Sequence, residues 1–169
     1  GELNGSHTGA RYNNGGPGLS TANFGVFFDE THQGDGLRIK EIMAKSPFAI
    51  KKCDVTPGCI IEKIDGQAIQ AGMDYFPLLE GKAGKKVLLA MYNPATGKRF
   101  DVNVKAISGG EQSALLYKRW VDRNRRMVDE LSGGRIAYVH VKGTDSPSFR
   151  PVYEELLSDE NRQKEAVIV

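Results

Sequence analysis

Cysteine is scarce in this 169-residue chain, at two residues, as are tryptophan at one and histidine at three. Cys53 and Cys59 stand alone across the Pro57-Gly58 turn, with no second pair to complete a zinc site. They are two free thiols or one short-loop disulfide, and the redox compartment stays open. No metal and no cofactor is expected. Net charge is equally small: 23 Lys and Arg against 21 Asp and Glu leave +2, too little for the electrostatic footprint of a nucleic-acid binder. Long hydrophobic runs are missing too. The longest, Val87 to Tyr92, is strand-sized, far short of the roughly 18 residues of a membrane span, so no membrane insertion is expected. No basic stretch leads into an apolar one at the start, so no signal peptide is expected, and localisation (cytoplasmic or periplasmic) is left undetermined.

What is present fits an ordinary globular composition, 40% hydrophobic and 26% charged, at a length for one domain or one domain and part of a second. Glycine is concentrated in the first 18 positions (Gly1, Gly5, Gly9, Gly15, Gly16, Gly18), and the run GARYNNGGPG reads as a linker, so residues 1–18 look like an upstream tail and a joint. Residues 19–107 then alternate short strands and short helices. Phe24 to Asp29 and Leu37 to Ile42 are β-rich. Ser46 and Pro47 open a short helix as N-cap and first helical residue. Cys59 to Ile64 is a strand ending at the Asp65-Gly66 turn. Asp74 caps a helix from Tyr75 to about Glu80, and Val87 to Tyr92 pairs with Arg99 to Val104 as a hairpin.

Ser108-Gly109-Gly110 reads as a second joint before the clearest helix, Glu111 to Leu131. Its Leu116, Trp120, Met127 and Leu131 form an apolar stripe, while Lys118, Arg119, Asp122, Arg125 and Arg126 face away as a solvated surface. A strand (Ile136 to Val141), a loop, a helix (Phe149 to about Leu157) and the buried-strand pattern Ala166 to Val169 follow. Residues 108–169 therefore read as the beginning of an α/β domain with too few strands for a complete sheet. The fold class expected is mainly β with short helices, followed by a partial α/β segment. His32 lies in a polar turn, and His140 shares the strand face of Ile136 and Tyr138, where a satisfied core histidine is expected.

The segment Ser46-Pro47-Phe48-Ala49 to Thr56-Pro57-Gly58-Cys59-Ile60-Ile61-Glu62-Lys63-Ile64-Asp65-Gly66 resembles the signature of bacterial-type PDZ domains: a helix, a Pro-Gly turn, an I-x-x-I strand and a tight turn. Cys59 stands where that family usually has Asp. The flanks, Glu2-Leu3-Asn4-Gly5-Ser6-His7-Thr8-Gly9 and Gly134-Arg135-Ile136-Ala137-Tyr138-Val139-His140-Val141, resemble tricorn-type serine peptidases of the C-terminal processing peptidase clan. That resemblance implies a PDZ-like, partly open barrel between two parts of a catalytic domain. It implies catalytic roles for His7, as general base, and Ser6, as a tetrad member that orients the relay. The nucleophilic serine and the glutamate are then expected beyond Val169, which would leave this stretch inactive by itself. The implied partners are a peptide or protein substrate and the rest of the parent chain, with a homo-oligomer left open.

PDZ domains take an extended peptide as an added strand at an open sheet edge beside a helix. The candidate edge here is Phe24, Gly25, Val26 and Phe27, and the candidate facing helix supplies Leu78 and Leu79. The alternative that these side chains are simply core stays open. So does a stand-alone peptide-binding adaptor without catalysis.

Overall fold

The computed structural model describes residues 20–51, 53–143 and 145–169. Ser6 and His7 lie outside the described residues.

Strands β1 (Val26–Phe28), β2 (Leu37–Ile42), β3 (Ile60–Ile64), β4 (Gln67–Ala68), β5 (Lys86–Asn93) and β6 (Lys98–Lys105) form one sheet. The order is β1-β2-β3-β5-β6, with β4 hung on β3 and each pairing antiparallel. The sheet does not close: β1 and β6 are both end strands. Only single bridges draw its lead-in segment across, Thr21 to Glu80 and Asn23 to Ile107. Alternation explains the pairing. On β5, Val87, Leu89 and Met91 are buried, and on β6, Val102 and Val104 meet them from the opposite strand; the intervening side chains point outward. These residues join Phe24, Ile39, Phe48, Cys59, Ile61, Ile64, Ile69 and Leu79 in one core.

The local signals act where the sequence placed them. Helix α1 (Pro47–Lys51) starts behind buried Ser46, whose hydroxyl accepts from the Ala49 N–H at 3.3 Å. A 3-10 helix, Phe76–Leu79, stands in place of the longer helix expected from Tyr75, and the Asp74 carboxylate accepts from the Phe76 N–H at 3.0 Å. The first strand is shorter than the run Phe24 to Asp29, because Gly25 turns the chain with φ 68° and a bulge follows at Phe27/Phe28. Cys53 and Cys59 are both free thiols.

Helix α2 (Gly109–Ser132) begins two residues earlier than expected. Ser108-Gly109-Gly110 is no joint: Ser108 is the N-cap, its hydroxyl accepts from the Glu111 N–H, and the Glu111 carboxylate accepts from the Ser108 N–H at 2.7 Å. Two orphan donors are satisfied reciprocally. Beyond it, β7 (Ile136–Tyr138) and β8 (Ala166–Ile168) pair in parallel, connected by α3 (Ser146–Leu156) and α4 (Asp159–Arg162). This is the β-α-β unit of a partial α/β segment.

Two expectations about burial need correction. The α2 stripe faces outward: Trp120 is 47% and Leu131 83% exposed, and Leu116 and Met127 are exposed as well. Ala166 to Val169 has a buried-strand composition yet is exposed along its whole length. Periodicity says which side chains share a face; only a packed neighbour makes that face a core. The basic side of α2 is likewise not merely solvated. Arg125 pairs with Asp122 at 3.0 Å and with Glu155 of α3, and Arg119 crosses to β2.

Candidate functional site: the β1 end and its helical cover

The residues proposed for peptide contact cluster at one end of the sheet, but mostly with their side chains turned inward. Phe24, Val26, Leu78 and Leu79 are buried members of the core, and the rings of Phe24 and Phe48 sit 6.1 Å apart. Phe27 is half-buried. Aromatic rings link β1 to the 3-10 helix: Phe28 meets Tyr75 edge-on at 5.8 Å, and Tyr75 stacks on Phe76 at 4.6 Å. Burial raises the Tyr75 phenol above its ordinary value, so it stays neutral.

Gly25 is the backbone pivot. A Cβ there would lie 2.6 Å from Ser46 Cβ and 3.0 Å from Leu115 Cδ1, so only glycine lets β1 pass so close to α1 and α2. Its carbonyl accepts from the Met43 N–H at 3.0 Å, and its N–H donates to Gln112 Oε1 at 3.1 Å. One turn of helix carries the contact further. Arg119 forms a bidentate pair with Glu41, at 2.6 and 2.7 Å, while its guanidinium lies 4.9 Å from the centre of the Phe27 ring. Gln112, Leu115 and Arg119 therefore fasten α2 across the end of β1. None was singled out for this role from the sequence. Gln112 and Gly25 are 87 positions apart, a pairing that no local pattern announces.

The Arg119 hydrogen bond, against a smaller opposing effect of burial, holds Glu41 below the ordinary glutamate value of 4.5. The Ser108 hydrogen bonds do the same for Glu111 at the start of α2. For a carboxylate whose folded pKa is depressed, the stabilisation is present above the unfolded value and is lost as pH falls through the folded one. Acidification from pH 5 downward should therefore loosen the start of α2 and its seat on β2 before the β core melts, read as faster amide exchange in Glu111 to Arg119 than in β5. Arg119→Ala removes the pair at neutral pH. Because both partners remain substantially exposed, it should cost about 1 kcal/mol or less in urea unfolding.

His140 ends the strand region beside a second aromatic group. Its ring lies 5.0 Å from that of Trp120 and 5.5 Å from that of Tyr117, and Nδ1 is 3.2 Å from the Tyr138 hydroxyl. It is half-buried and satisfied. No group of three or more His, Cys, Asp or Glu side chains suited to a metal ion occurs among the described residues, and no helix among them is long and apolar enough to cross a membrane.

An open antiparallel sheet with a short helix after β2 and a 3-10 turn facing its first strand is the architecture of a PDZ unit. Residues 33–109 match the family model of the tricorn protease PDZ domain, and the chain belongs to the tricorn protease family. It is 33% identical to tricorn protease homolog 1 of Streptomyces coelicolor over 67% of its length and 10% of that protein's. It is 29% identical to the tricorn protease of Thermoplasma acidophilum over 70% of its length and 11% of that protein's. The chain thus spans about a tenth of the curated relatives it matches. A crystal structure of the tricorn protease superposes with a TM-score of 0.69 at 24% identity, covering 81% of this chain and 14% of that one, a likeness of fold.

Proposed function

We propose that this chain is the PDZ-bearing segment of a tricorn-like serine peptidase, organised as an upstream tail and linker (1–18), the PDZ-like domain (19–107) and the first part of an α/β catalytic domain (108–169). The parent hydrolyses peptide bonds through a Ser/His/Ser/Glu tetrad. His7 takes the proton of the attacking serine hydroxyl and returns it to the leaving amine, and Ser6 orients the relay. The nucleophile and the glutamate lie beyond Val169, so residues 1–169 alone are inactive. What supports the reading is the tricorn PDZ match over residues 33–109 together with the bare parallel pair β7–β8, whose apolar β8 has no cover among the described residues. A longer chain that carries the downstream sequence should cleave short peptides, and residues 1–169 should not. Cleavage by residues 1–169 at a comparable rate would defeat the assignment.

Within that enzyme the PDZ-like unit orients the peptide substrate or links the catalytic halves, with α2 as the connecting strut. A peptide at Phe24, Gly25, Val26 and Phe27 would use the main chain of β1, since most of those side chains, with Leu78 and Leu79, are committed to the core. Its terminal carboxylate would compete with Gln112 for the Gly25 N–H. Gln112→Ala should therefore tighten binding of a peptide with a free C-terminus by about fivefold, one uncharged hydrogen bond's worth, and leave its C-terminal amide unaffected. Equal affinities in wild type and variant would remove the groove from the functional account.

A further inference from the structure

At β6, the other end strand, the sheet leaves a second opening that meets the β1 end at Leu115 and at the Asn23–Ile107 bridge and that the peptidase reading does not use. Among the described residues, the outer edge of β6 has no strand beside it. Ile107 is bridged to Asn23, but from Lys105 back along β6 the edge faces α1 across a cleft of about 860 Å3. There the Asn103 carbonyl points outward and takes the Lys51 ammonium as a substitute partner. The cleft has two chemical characters. Its floor is apolar, from Val104, Ala106, Ile107 and Leu115, and Ile50 stands over it 72% exposed. Its rim carries Lys45, Lys51, Lys86 and Lys105, against one carboxylate among the described residues, Glu111, which is already committed to the Ser108 cap. Lys45 holds the left-handed backbone, φ 63°, that L side chains seldom adopt, two residues before the start of the helix that forms one wall.

We propose that this cleft docks an extended acidic segment of a partner polypeptide, added as a strand to the open edge of β6, with apolar residues alternating toward the floor. Each feature requires that chemistry. An unpaired strand edge offers main-chain hydrogen bonds to another strand. Period-two alternation puts one set of side chains on the apolar floor and the other against the lysines. Four ammonium groups facing one engaged carboxylate favour an acidic sequence and exclude a basic one. A nucleic acid would meet the lysines but waste the floor and the edge. The inference does not depend on the peptidase assignment.

The test uses the full 169-residue chain and the peptide Ac-Asp-Val-Glu-Val-Glu-Val-Asp-NH2, blocked at both ends so that no terminal carboxylate can seek Gly25. Titration followed by amide shifts should move Ile50, Asn103 and Lys105 and weaken with added salt. Lys105→Glu and Ile50→Ser should each weaken binding about tenfold, whereas Arg150→Glu, the same change of charge on distant α3, should leave it unaltered. Both variants alter exposed side chains, so an unchanged melting temperature verifies that the fold persists. Shifts centred on β1, or no saturation at millimolar peptide, would overturn the proposal. So would equal binding of an all-glutamate peptide, a single-stranded oligonucleotide or anionic vesicles.

Discussion

In a longer chain that carries the downstream catalytic sequence, His7→Ala should lower kcat on short peptides by about 10^4-fold with little change in KM. The size follows from the role proposed for His7. A serine hydroxyl is a weak nucleophile at neutral pH until a base takes its proton, and the same base must then protonate the leaving amine, so one imidazole serves both barriers. Ser6→Ala should cost less, about 10^2-fold, because in the role proposed for it the serine only orients the relay, and its loss would leave the proton acceptor in place. A kcat within about threefold of wild type for His7→Ala would contradict the role given to that residue, whatever happened to KM.

The second large effect is on stability. Gly36→Ala should destabilise the chain by about 3 kcal/mol in urea unfolding, whereas Gly58→Ala should cost about 1 kcal/mol. Both glycines hold left-handed backbone, at φ 81° and 95°, so both substitutions bear the conformational penalty. They differ in surroundings. A Cβ at Gly36 would lie 2.5 Å from Ile60 Cγ2 and 2.7 Å from the Ile61 carbonyl oxygen, whereas at Gly58 nothing lies within 4 Å. The Ile61 backbone belongs to β3, the central strand, and its side chain is fully buried, so it cannot retreat without opening the core. The Gly36 N–H also donates to the Ile69 carbonyl at 2.9 Å, which ties the same turn to the next stretch of core. Equal losses for the two variants would mean that the turn before β2 moves independently of β3.

The strands were legible wherever a period-two pattern was bounded by strong turn residues. β2 runs from Leu37 to Ile42 as expected, and the β5–β6 hairpin gains a single residue at each of its four strand ends. β4 escaped because two residues carry no period. The start of α2 was misjudged at Gly109-Gly110, although Ser108 and Glu111 stand at capping-box spacing; two glycines outweighed a signal that was present. The direction of the Leu116–Trp120–Met127–Leu131 stripe was not legible at all, because a helix turns its apolar face toward whatever covers it, and the α2 stripe is exposed among the described residues. At the candidate site, the family and the β1 segment could be read from local residues. The contacts that occupy Gly25 and Glu41 come from a helix some 80 positions away, and a long-range hydrogen bond leaves no periodic trace. The lysine-rimmed cleft escaped for the same reason: Lys45, Lys51, Lys86 and Lys105 are scattered in sequence and meet only through the pairing of β5 with β6 and the position of α1.

The central claim is that the described fold serves a serine nucleophile carried elsewhere in the parent chain and activated by His7. Covalent labelling with a fluorophosphonate, followed by mass mapping of the adduct, tests it most directly. The account predicts a single labelled serine beyond Val169 in the longer chain, no label on residues 1–169 alone, and labelling largely abolished by His7→Ala. An adduct on a serine within residues 1–169, or labelling of the His7→Ala variant at the wild-type rate, would contradict it.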